Sequence, residues 1–194
     1  LQSIEAVSIP VRLQSYGMSL SESLSTYGVL TGMALPCILF PSAITNSVST
    51  MLLPTVAEIQ ALNHRQELTS LVRKVTYSCI FLGSICCVSL LCFGKWVGTI
   101  LFHSPMAGDY IITLAWMCPF LYTNNTLISM INGIGKTTLS FGINSSSLGI
   151  RIASVFLLIP AFGIEGYLWG LLASQVCIFL FCLAYLKYYL RKAA

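Results

Sequence analysis

Residues 75–93 read VTYSCIFLGSICCVSLLCF, a run without a single charged side chain, closed by Arg73-Lys74 on one side and Lys95 on the other. As a helix it covers about 28 Å at 1.5 Å per residue, close to the ~30 Å hydrocarbon core of a bilayer. It also lacks a polar stripe, which a half-buried soluble helix would carry. Membrane is therefore the solvent in which the neighbouring segments have to be read.

Four further apolar runs flank it, near Tyr27–Leu53, Tyr110–Ile131, Leu139–Pro160 and Tyr167–Leu186, and Leu1–Gln14 reads as the last turns of an earlier helix. The expected fold is all-α: a polytopic membrane helix bundle of five full transmembrane helices plus the end of a sixth, with residues 1–194 forming a single transmembrane lobe. Composition agrees, because 56% of the 194 residues are hydrophobic and only 8% charged, against roughly 25% charged in ordinary soluble domains. Because the chain opens on Leu1 inside an apolar stretch, it is read as a fragment or a processed product. Glu5, Pro10 and Arg12 interrupt the place where a secretory signal would need an unbroken apolar run.

Charge sets the expected orientation. Arg65, Arg73 and Lys74 follow the first full span within the Asn63–Lys74 loop, Lys136 lies between the third and fourth, and Lys187, Arg191 and Lys192 occupy the tail. The alternate loops, His103–Asp109 and Ala161–Glu165, hold no lysine or arginine, and only Arg12 and Lys95 lie near that face. Positively charged loops stay in the cytoplasm, so the tail is expected there, in a multi-pass membrane protein. The net charge of +4 is modest and flanks apolar segments, which argues against a nucleic-acid surface. The eight cysteines all fall within apolar runs, without C-x-x-C spacing, and read as small buried hydrophobes. Neither metal nor cofactor is expected.

Polar residues inside spans show which helix faces turn away from lipid. Ser42, Thr45, Asn46 and Ser49 share one face at i, i+3, i+4 and i+7; Asn125, Ser129 and Asn132 repeat the rule, as do Asn144, Ser147, Arg151 and Ser154. Glu5, Ser8 and Arg12 add a fourth stripe, and together these helices are expected to share a polar interior. Interhelical hydrogen bonding is the plainer explanation for the serines, at about 0.6 to 2 kcal/mol each. Arg151 differs, since the expected boundaries of its span place it close to mid-bilayer, where a guanidinium must be paired or line a cavity. Glu5 is its natural partner. Pro36 and Pro41 interrupt the first full span and should bend it, as a hinge or as an ordinary kink. Gly28-x-x-x-Gly32 and Gly166-x-x-x-Gly170 are expected to let helices approach closely. Ser19-Leu20-Ser21-Glu22 fits a capping box, and Pro160-Ala161-Phe162-Gly163 a short turn.

Three motifs are set aside. Gly133-Ile134-Gly135-Lys136-Thr137 imitates the end of a P-loop, but Met130 stands where the first glycine is required and no strand precedes it. Asn124-Asn125-Thr126 and Asn144-Ser145-Ser146 match glycosylation sequons inside expected spans. His64 and His103 fall on opposite sides of the membrane, so no Ser-His-Asp or Cys-His set assembles and no catalytic residue is assigned.

Several stretches together resemble the polysaccharide-biosynthesis and stage V sporulation protein B branch of the flippase superfamily that also holds the lipid II flippases and the multidrug and toxin extrusion transporters. They are residues 9–14, IPVRLQ; Tyr27-Gly28 through Gly32-Met33-Ala34-Leu35-Pro36 and Phe40-Pro41-Ser42; 53–58, LPTVAE; 131–136, INGIGK; and 159–167, IPAFGIEGY. The resemblance implies one six-helix lobe of a two-lobe transporter whose N-terminal lobe is missing here. It also implies alternating access about a central cavity, with Arg12, Pro36, Pro41 and Glu58 in family motif positions. The cargo so implied is a lipid-linked oligosaccharide or polysaccharide precursor, such as an undecaprenyl-diphosphate-linked saccharide, used in cell-wall or spore assembly. Arg151, Arg12, Glu5, Asn46, Ser42, Ser49, Asn144, Ser147 and Asn125 are the expected cavity residues. A cation-coupled multidrug exporter using Glu5, and a non-transporting scaffold for envelope or spore assembly, remain the alternatives.

Overall fold

The computed structural model describes residues 2–62 and 64–192, with side chains for 5–62 and 64–190. Leu1 and Asn63 of the expected segments lie outside the described residues, as do the side chains of Arg191 and Lys192. Every regular element among the described residues is helical. The order is α1 (Gln2–Ser15), α2 (Leu20–Val29), α3 (Leu35–Leu39), α4 (Ser42–Ala61), α5 (Arg65–Trp96), α6 (Pro105–Ala115), α7 (Cys118–Gly133), α8 (Thr137–Leu157), α9 (Ile159–Phe162) and α10 (Ile164–Lys192). Widened π turns join α2 to α3 over Leu30–Ala34 and extend α5 over Val97–Leu101.

Two helices are long and apolar enough to cross a membrane, Arg65–Leu101 and Ile164–Leu190, and Leu20–Leu39 with Ser42–Ala61 makes a third if the bent pair is one span. The expected five are not all present as single apolar helices. The run Tyr110–Ile131 is divided, because Pro119 has no N–H to give the carbonyl of Ala115 and the chain turns at Trp116–Met117 between α6 and α7. The fourth, α8, is about 31 Å long at helical rise, but its serines, Asn144 and Arg151 dilute its apolar character. The Asn63–Lys74 segment is mostly helix: α5 begins at Arg65, since Leu68 and Val72 are buried in the core and carry the helix beyond its apolar run.

The bend between α2–α3 and α4 measures 58° and has a local cause. Pro36 cannot donate to Gly32, and the preceding turn widens so that the Leu35 N–H reaches the Leu30 carbonyl. Pro41 ends α3 in the same way, freeing carbonyls around residue 38. Tyr122 on α7 donates its hydroxyl to the Ile38 carbonyl at 2.7 Å, and Ser42 donates to Leu39 at 2.6 Å. Broken backbone within apolar surroundings persists only where such donors satisfy it. At the start of α2 the expected capping box is present, with Ser19 and Glu22 bonded reciprocally.

Packing follows small residues at one of the two expected pairs. Side chains at Gly166 and Gly170 would collide with Leu158 and Ser154, so these glycines bring α10 against α8 and α9. Gly28 and Gly32 meet no neighbouring helix within 4 Å among the described residues. The apolar core forms two clusters. One gathers Ile9, Leu30, Ile38, Ile111, Tyr122 and Leu168, the other Leu52, Val56, Leu68, Met130, Ile178 and Leu186.

All described lysines and arginines expected on one side gather at one end of the bundle. Gln60 donates to the Tyr189 hydroxyl at 2.9 Å, so the end of α4 meets the end of α10. Arg65 lies near Tyr189, Arg73 near Lys187, and Lys136 near Tyr185. Exposed aromatics mark two levels: Tyr77 and Trp96 on α5, Trp169 and Tyr188 on α10. Each pair is about 28 Å apart at helical rise, the spacing of the two aromatic belts of a membrane protein. Between these levels Phe81, Ile85 and Val88 present an exposed apolar stripe on α5, suited to a lipid-facing wall.

Candidate functional site

α1 packs against α2 and α8, and this brings a carboxylate to a guanidinium across most of the sequence. Arg151 Nη2 donates to Glu5 Oε2 at 2.7 Å. Glu5 is 8% exposed, and the Arg151 side chain keeps 28% of its surface. The contact is single-pointed, because Glu5 Oε1 and Arg151 Nε are buried without hydrogen-bond partners among the described residues. A two-point fork would also employ Glu5 Oε1. The pair borders a cleft of about 420 Å³ whose other walls include Tyr27, Thr31, Leu35 and Tyr167.

Gly170 abuts Ser154, and Trp169 beside it marks the aromatic level at the end away from the basic residues. Arg151 lies one turn, about 5 Å, inside Ser154, and only about 9 Å from the end of α8 at Leu157. Beyond Leu157 the chain continues as α9 from Ile159, with the Phe162 N–H donating to the Leu158 carbonyl at 2.9 Å. Arg12 lies nearby, its guanidinium 4.6 Å from the centre of the Phe156 ring, an arrangement in which the ring face attracts the cation.

The remaining polar stripes do not converge on this cleft. Asn125 donates to Asn46 Oδ1 at 2.8 Å, and Ser129 donates to the Ser49 carbonyl, forming a polar seam between α4 and α7. Asn46 is exposed, whereas Ser42 is buried and spent on the Leu39 carbonyl. In α8, Ser147 is buried, and Asn144 is exposed and bonds its own helix at the Ser140 carbonyl. The expected single polar interior is thus two places, the α4–α7 seam and the Glu5–Arg151 cleft, because the faces of α8 diverge by 100° per residue while each neighbour covers only one. Glu58 is exposed near the end of α4.

Two partners were missed from the sequence. Asn124 donates to the Gln175 carbonyl at 2.9 Å and to Gln175 Oε1 at 2.8 Å, between the two apolar clusters. Gln175 was visible as the lone amide within the last apolar run. Tyr27 and Tyr167, which wall the cleft, carried no such signal, since tyrosines also populate membrane interfaces.

No protein-family model matches the chain, and no solved structure matches it. Among curated proteins it is similar to "Stage V sporulation protein B" of Bacillus subtilis (strain 168), with 22% identity over 176 residues, covering 90% of this chain and 34% of that protein. The chain spans about a third of the length of this relative. The resemblance drawn above from its motifs is met by a relative of that name.

Proposed function

We propose that this chain is a lobe of a non-enzymatic membrane transporter that exports a lipid-linked saccharide precursor by alternating access across the bacterial cytoplasmic membrane. The tail and the basic end face the cytoplasm, and the second lobe and the membrane lipids are its partners. The observation that carries this reading is the Glu5–Arg151 pair at the wall of an open cleft. A guanidinium recognises phosphate oxygens by a bidentate fork, and the Arg151 side chain keeps 28% of its surface at the cleft. In this reading Glu5 holds the guanidinium in place when no cargo is bound, and a cargo diphosphate takes its place. Replacing Arg151 by Ala in the full-length transporter abolishes export of the lipid-linked saccharide while leaving membrane insertion intact. Undiminished export by that variant would sink the assignment.

A drug exporter coupled to a cation gradient would need Glu5 open to the cation, and Glu5 Oε2 already accepts from Arg151, which speaks against it. Transport that follows a sodium or proton gradient would favour it. A scaffold without transport gains from the α4–α7 seam, whose side chains are satisfied between helices as glue. Thiol labelling of Asn46→Cys in a background without the native cysteines separates these readings. A water-filled path makes position 46 reactive from the aqueous phase, and a scaffold leaves it inert.

A further inference from the structure

A groove of about 780 Å³ runs between the start of α5 and the end of α10, at the basic end and away from the Glu5–Arg151 cleft. Its walls are apolar, with Val72, Ile80, Leu183 and Leu186 prominent, and Thr76 hides its hydroxyl by donating to the Val72 carbonyl at 2.7 Å. Two cations stand at its head, Arg73 from one helix and Lys187 from the other. Each sits where its helix leaves an apolar run, Arg73 just before Val75 and Lys187 directly after Leu186. Both are exposed. Neither has an ion-pair partner among the described residues. Tyr77, 69% exposed, marks the aromatic level one turn inside Arg73.

We propose that this groove binds an anionic phospholipid, with its phosphate between Arg73 and Lys187 and an acyl chain along the α5–α10 walls. The positions of the two cations match the level at which lipid phosphates lie, and the apolar floor continues from there toward the hydrocarbon. Basic pockets between spans on the positively charged side suit such head groups. A second copy of the chain fits poorly, because pairing through this face would set Arg73 and Lys187 against their own like charges.

The test purifies the full-length protein in neutral detergent and titrates it with phosphatidylglycerol or phosphatidylcholine of matched acyl chains, counting bound lipids by native mass spectrometry. Phosphatidylglycerol binds more tightly. Arg73→Gln and Lys187→Gln each weaken it about five-fold, and the double variant about thirty-fold, from roughly one charge contact apiece. Lys136→Gln, at the same end but outside the groove, leaves binding unchanged. Ile80→Trp, which fills the groove with both cations intact, weakens it. Equal binding of the two lipids overturns the proposal, as does an equal loss in Lys136→Gln, which would mean diffuse attraction. A dimer that seals the groove overturns it too. If the double variant does not fold, the Ile80→Trp and Lys136→Gln arms decide.

Discussion

At the scale of the residue, the Glu5–Arg151 pair is where structure and function meet. Removing one partner of a buried pair strands the other charge, at about 3–5 kcal/mol when both are fully buried. Arg151 keeps 28% of its side-chain surface, so about 2 kcal/mol is expected for Glu5→Ala, read as a lower thermal midpoint in detergent. The exchanged variant, Glu5→Arg with Arg151→Glu, recovers most of that stability because the pair is preserved in reverse. Export does not recover, since a carboxylate now stands where the cargo's phosphate would be held. Recovery of both would make the pair purely structural. The partnership was legible in the sequence by elimination, because a span containing arginine needs an acid and Glu5 was the acid within an opposing helix. Which turns of α1 and α8 meet was not legible, because that depends on packing and not on periodicity.

Elements show why a proline and a tyrosine belong together. The α3–α4 break leaves the Ile38 carbonyl to the Tyr122 hydroxyl, and a buried carbonyl without a donor costs about 1–3 kcal/mol. Tyr122→Phe should therefore lower stability by about that amount, measured by denaturation in detergent, while Pro41→Ala narrows the 58° bend as seen by distances between spin labels on α2 and α4. The glycines give a second, sharper contrast. Gly170→Ala forces a methyl group into Ser154 and opens the α8–α10 contact, whereas Gly28→Ala meets nothing within 4 Å. Thermal stability should drop for the first and hold for the second. The two G-x-x-x-G patterns are indistinguishable in sequence. Only the arrangement of helices tells which pair has a neighbour.

For the molecule as a whole, charge and aromatic residues define a slab. Arg65, Arg73, Lys136 and Lys187 share one end, and the Tyr77–Trp96 and Trp169–Tyr188 pairs bound the lipid-facing zone. A reporter fused after Ala194 should be active only in its cytoplasmic form, and a single cysteine at His103 should be labelled from the opposite side. Labelling of both positions from one side would overturn the orientation. Ser147 is buried against its neighbours, so reactivity there reports on helix packing and not on a water path. Position 46 is the informative one.

Much of this protein follows from its sequence alone. An uncharged run as long as a bilayer is thick, with cations at its margins, cannot be dissolved in water as a lone helix, so helical form, membrane setting and the gathering of basic residues at one end were determined by composition and order. Proline likewise specified the bend, since a missing N–H acts on the residues next to it whatever surrounds them. Tertiary structure decided what lies opposite what. The division of the polar stripes into a seam and a cleft and the choice of Gly166 and Gly170 over Gly28 and Gly32 both depend on which helix face another helix covers. Periodicity names the face of a helix, but only packing supplies its neighbour.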